Sequence, residues 1–234
     1  MGRISGSVLI GLGILLWYTG GQSGETALVN LGIGSILLGL VVFPMPGWGH
    51  VSRDALELAV EPGCTFLSNL VRDLELKGKA VVIPPYENLP EGGIFIPASE
   101  EFHVPLGKLG EGTVLVTGTR QETGLLISPV PGRGVFEYID EDLSGTGIGY
   151  AASAVSSALS ALGLGSAEVF EEGEKIEVYV KPICENPYAD PAVSAVLLGI
   201  AVGSGELILV EDVERVKDYF KLTLKRLGGV GRWL

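Results

Sequence analysis

The chain has 234 residues, 28 of them acidic and 16 basic, for a net charge of −12. Such an acidic body repels phosphate backbones, which argues against nucleic acid as a partner. Hydrophobic residues make up 47% of the chain and cysteines number two, so a core is affordable but a disulfide framework or a Cys-based metal motif is not indicated.

Two apolar runs open the chain. Ile4–Gly20 and Thr26–Met45 carry no charged side chain and are separated by Gly21-Gln22-Ser23-Gly24-Glu25. Each reaches the roughly 17–20 residues that a helix needs to cross a bilayer. The reading is a transmembrane helical hairpin over residues 1–48, with helices at 4–20 and 26–45. Arg3 and Arg53 flank the pair and the turn has no basic residue. That pattern predicts a multi-pass cell-membrane protein with its C-terminal domain and both termini in the cytoplasm, and the lipid bilayer as a partner. Trp17, Tyr18 and Trp48 fall where interfacial aromatics sit, and Pro44 and Pro46 end the second helix. Ser7-x-x-x-Gly11 and Ser35-x-x-x-Gly39 predict close helix pairing through small residues. A cleaved signal peptide is disfavoured, because no small-x-small site follows the first run.

The remainder reads as an α/β (α+β) domain in two halves, 49–143 and 144–234, with a largely antiparallel sheet. Ser52 caps a helix over 52–76 that Pro62-Gly63 divides. Strands follow at Ala80–Ile83, Gly93–Pro97, Gly112–Gly118, Gly124–Pro129 and Gly134–Ile139. In the second half, Ser144 or Thr146 caps an Ala/Ser/Gly helix to about Leu162, and strands follow at Ala167–Phe170 and Lys175–Val180. The helix is too polar for a third membrane span. Asp190 caps a helix to about Val202, with Pro191 in its first turn. Leu207–Val210 is a strand, and an amphipathic helix from Glu211 or Asp212 to Leu227 ends the domain. Both halves contain a helix, a glycine turn and a β-hairpin ending at a proline (Pro97 and Pro182), which suggests an internal duplication.

The turn Cys184-Glu-Asn-Pro-Tyr-Ala-Asp-Pro191, between a strand and an apolar helix, resembles that of uncharacterised archaeal proteins that join an N-terminal two-helix membrane anchor to an α/β domain. The resemblance covers that architecture and this turn. It implies no activity.

Chemistry-bearing residues are sparse. Gly145-Thr-Gly147-Ile-Gly149 opens a helix but lacks a following lysine, and Asp140-Glu141-Asp142 stands just before it to repel a phosphate. His50 and His103 are the only histidines and have no metal-ligand spacing, so no metal or cofactor is expected. Cys64 and Cys184 read as reduced, buried thiols in a cytoplasmic domain. The few amide side chains, and Met1 and Met45 as the only methionines, follow a thermophile habit that makes a Cys64–Cys184 disulfide easier to accept. Glu168, Glu171, Glu172, Glu174 and Glu177 form an acidic hairpin, a solvated face or a surface for a basic partner. Lys217, Lys221 and Lys225 recur every four residues, and with Arg226 and Trp233 predict a face that contacts anionic lipid. The functional expectation is a membrane-anchored cytoplasmic binding or scaffold module, a subunit of a homo-oligomer or larger complex. The alternative is a tethered enzyme using Asp140, Glu141, Asp142, Cys184 and Asp190 once the fold brings them together.

Overall fold

A computed structural model describes residues 2–43, 53–173 and 175–233. The chain divides into two compact units, Met1–Val51 and Ser52–Leu234. Pro44, Met45, Pro46, Trp48, His50, Ser52 and Glu174, each part of an expectation above, lie outside the described residues.

The first unit is an antiparallel pair of helices, α1 (Gly2–Ser23) and α2 (Thr26–Val42), joined at Gly24, whose φ of 71° suits glycine. The transmembrane reading of this pair is overturned. Among the described residues no helix is long and apolar enough to cross a membrane. α2 ends at Val42 after 17 residues. α1 dilutes its apolar content with six glycines and with Ser5, Ser7, Thr19, Gln22 and Ser23. The multi-pass location and its cytoplasmic ends rested on those spans and fall with them.

The pairing motif also differs from expectation. Gly39 does lie in the interface, since a Cβ there would sit 2.6 Å from Ile10 Cγ1. Gly11, however, has nothing within 4 Å of its would-be Cβ. Ser7 is exposed and Ser35 half-buried. The close approach runs through Gly6, Gly13 and Gly20 on α1 and Gly32 and Gly39 on α2, spaced by seven. Seven residues are two turns of a slightly underwound helix, so this spacing keeps one stripe against the partner along the whole pair.

The second unit begins with α3 (Arg53–Asp73), which runs unbroken through Pro62. Then come β1 (Val81–Ile83), β2 (Gly93–Pro97), β3 (Leu115–Val116), β4 (Gly124–Ile127), α4 (Ile148–Ala161), β5 (Ala167–Glu172), β6 (Lys175–Val180), α5 (Pro191–Ser204), β7 (Glu206–Val216) and β8 (Tyr219–Gly229). The strands form one eight-stranded sheet in the order β3-β4-β2-β1-β7-β8-β6-β5, with every described pairing antiparallel. Val82, Ile94 and Ile96 join the large core with α4 and α5. Val81, Ile83 and Phe95 alternate onto the opposite face, where Leu89, Val104 and Leu106 cover them. That cover reaches β8 only near Leu227 and stops short of β5 and β6, whose outer face, with Glu168, Phe170, Glu177 and Tyr179, is partly exposed.

Three sequence expectations give way here. Residues 133–138 form a 3-10 helix and not a strand, tightened by Val135 N–H to Gly132 C=O. α4 starts behind Gly147 with no side-chain cap; Thr146 Oγ1 instead donates to Leu143 C=O at 2.8 Å. The C-terminal amphipathic helix is the β7–β8 hairpin, turning at Lys217 with φ 57°. Phe220, Leu222 and Leu224 are buried in strict alternation, and that two-residue period overrides the helical reading. Helix-then-hairpin units thus recur three times, ending with α5-β7-β8. The two units compared above join the sheet differently: β1 is the inner strand of the first and β6 of the second, so one is not a simple repeat of the other.

Candidate functional site

The turn before α5 is built on one carboxylate. Asp190 is fully buried. Its Oδ1 accepts from Ala192 N–H and Val193 N–H, both at 2.9 Å, as a helix N-cap. Its Oδ2 accepts from Cys184 N–H at 2.7 Å and from Ile183 N–H. Burial pushes its carboxyl above the ordinary aspartate range, against the pull of these four donors. Both oxygens are engaged in holding the backbone, which leaves them no lone pair aimed at a substrate.

Cys184 is not a free thiol. It is bonded to Cys64 on α3, which corrects the reduced-thiol expectation. The Cα atoms are 6.5 Å apart, within the span a disulfide bridges. Next to the bond, Asn186 Nδ2 donates to Ser68 Oγ at 2.9 Å, and Ser68 Oγ donates to Cys64 C=O at 2.8 Å. These contacts tie α3 to the turn and border an open cleft of ≈ 630 Å³. Glu57, Glu61, Glu185 and Asp218 line it against Lys181 and Arg215. Arg215 is paired with Glu185 and lies over the Phe220 ring at 5.9 Å. The lining is acidic on balance, and a nucleophilic sulfur is absent because both cysteines are spent on each other.

The other candidate carboxylates stand elsewhere. Asp140, Glu141 and Asp142 are exposed on the loop before α4 and line no part of this cleft. Asp142 accepts from Ser144 N–H at 2.9 Å, which holds its carboxyl below the usual range. Glu141 accepts from Tyr150 Oη and raises that phenol. The fold therefore does not bring the five proposed catalytic residues together. Among the described residues no group of three His, Cys, Asp or Glu side chains could hold a metal ion. His103 packs against Trp233, with ring centroids 5.7 Å apart.

The basic C-terminal residues sit on the hairpin. Lys221 lies on the outer face of β8, 3.1 Å from Glu177 on β6, and Lys175 approaches the same carboxylate at 3.3 Å. These two ammonium groups, Lys221 foremost, hold Glu177 below the ordinary glutamate range, and Glu177 in turn raises Lys221. Lys225 is exposed on the outer face of β8, and Lys217 is in the turn. Arg226 has the opposite parity and pairs with Glu171. Trp233 closes the second core as a partly buried side chain, its Nε1 donating to Leu227 C=O at 3.3 Å. Lys221 and Arg226 thus face acidic neighbours of the same sheet.

Sequence reasoning missed Ser156, which proves to seal the start of the outermost strand. Its Oγ accepts from Ala167 N–H at 2.9 Å and donates to Ala167 C=O at 3.0 Å. One serine among several in an Ala/Ser/Gly stretch carries no signal of that kind. No protein-family model matches this chain, and neither a curated protein nor a solved structure matches it.

Proposed function

We propose that this protein is a binding or scaffold subunit of a homo-oligomer, assembled through its helical pair and presenting its β-domain to partners. The outer surface of α1 and α2 carries the reading. Leu12, Leu15, Leu37, Leu38, Leu40 and Val41 are each more than half exposed. Contiguous apolar patches beyond a few hundred Å² mark interaction surfaces on water-soluble chains. Between Ile4 and Gly24, and again from Thr26 to Phe43, there is no charged side chain for an ionic partner to meet. The matching surface is the same uncharged face on a second copy. The enzyme alternative draws no support from Cys184, held in a disulfide, or from Asp190, committed to the backbone.

Sedimentation velocity of the full chain tests this reading. The expected result is a discrete species at a multiple of 24.5 kDa. Replacing Leu12, Leu15, Leu37 and Leu38 by Gln should lower the mass and leave the circular dichroism of the sheet unchanged. A monomeric wild type, or an unchanged mass in the variant, overturns it.

A further inference from the structure

The sheet ends on β5, and only the first step of that edge is closed. Ala167 turns both of its backbone groups away from β6 and onto Ser156 Oγ. In an antiparallel pair, residues that exchange bonds with the neighbour alternate with residues whose groups face away. Val169 and Glu171 follow Ala167 at steps of two, so their N–H and C=O groups also face away from β6. No other backbone partner for them occurs among the described residues. Four backbone hydrogen-bonding groups therefore stand open along the edge, a template for a further strand.

We propose that the open edge of β5 accepts an extended basic segment of another protein as an added strand of the sheet. β5 itself carries Glu168, Glu171 and Glu172 and no basic residue. A second copy of β5 would bring two such acidic strands edge to edge with no basic side chain on either, and like charges across a strand pair destabilise it. Lys or Arg at alternate positions of the incoming segment instead meets Glu168 and lies beside Phe170, which is 53% exposed. The intervening side chains point towards α4. There Gly149, Ser153 and Ser157 are small enough to leave a hollow of ≈ 200 Å³ beside Val169. The recognised class is an alternating basic and aliphatic strand. This docking does not depend on assembly through α1 and α2.

An octapeptide of four Lys-Val repeats is the probe, added to the full-length protein and followed by residue-resolved hydrogen exchange. The amides of Val169 and Glu171 should slow roughly tenfold or more, while Glu168 and Phe170, already bonded to β6, stay unchanged. The effect should weaken in salt and be absent with a Glu-Val peptide. Val169→Pro removes an outward donor at an edge position that tolerates proline, and should abolish binding. Should that variant misfold, the unaltered protein is tested with Lys-Val peptides N-methylated on one or the other alternate set. One set should block binding and the other permit it. Unchanged exchange at Val169 and Glu171, equal binding of both methylated peptides, or concentration-dependent protection of this edge without peptide would each overturn the proposal.

Discussion

At the scale of single residues, Asp190 is the polar group on which most local structure depends. It closes the first turn of α5 and also gathers the amides of Ile183 and Cys184, so one side chain orders both ends of the turn. Ala192 and Val193 are fully buried, and their amides have no water to turn to. Asp190→Ala leaves these donors unsatisfied and should cost about 2–4 kcal/mol, adding the loss of an N-cap to that of charge-assisted hydrogen bonds. Urea unfolding measures it, and a change below about 0.5 kcal/mol, the level of a neutral surface substitution, would show that the turn holds itself. The capping half of this role was legible, because Asp-Pro before an apolar run is a helix start. The bonds back to 183 and 184 were not, since they depend on how the six intervening residues fold. The same limit applies to Cys64 and Cys184, whose proximity across 120 positions has no local signature.

At the scale of elements, period decides what a sequence can reveal. Lys217, Lys221 and Lys225 at intervals of four share a face on a helix and equally on a strand, because four is a multiple of two. The spacing therefore could not separate the two, and the informative residues were Phe220, Leu222 and Leu224 between them. The strands from Val81 to Ile127 were easier to read, being short apolar runs, β-branched in β1 and β2, set off by Pro- and Gly-bearing turns. In the helical pair the small-residue principle was sound but its period was wrong: seven, and not four, holds the interface. A matched pair of substitutions on α2 tests that interface. A Cβ at Gly32 would lie 2.5 Å from Trp17 N, whereas one at Gly34 meets nothing within 4 Å. Gly32→Ala should cost about 1–3 kcal/mol by forcing the helices apart. Gly34→Ala should be neutral, or stabilise by up to about 1 kcal/mol through helix propensity. Thermal unfolding and the exchange of α1 amides distinguish them, and equal behaviour would remove the glycine stripe as the cause of pairing.

At the scale of the whole molecule, the second unit has its own two cores and a sheet in which the last hairpin to be made occupies the middle. β7 pairs with β1 on one side and β8 pairs with β6 on the other, so the two groups of strands before α5, β1–β4 and β5–β6, meet only through the hairpin that follows it. That order was not legible, because it requires the C-terminal segment to be recognised as strands first. α3 is placed differently. It is joined to the sheet by no described strand pairing, and rests on the large core through Leu56, Val60, Leu67, Leu70 and Val71. Its outward side leaves Leu58 72% and Phe66 68% exposed. A helix held by one apolar stripe detaches more readily than a central strand, and here the Cys64–Cys184 bond opposes detachment. A disulfide typically stabilises its fold by about 2–4 kcal/mol, with long loops such as this one towards the upper end. Replacing both cysteines by serine should lower the unfolding free energy measured in urea by that amount, seen as a lower midpoint. It should also speed amide exchange in α3 far more than in β7 or β8, since the central hairpin keeps its pairing on both sides. Equal acceleration across α3 and the sheet would mean that the bond stabilises the unit as a single cooperative body, and an unchanged midpoint would mean that α3 is held by its apolar stripe alone.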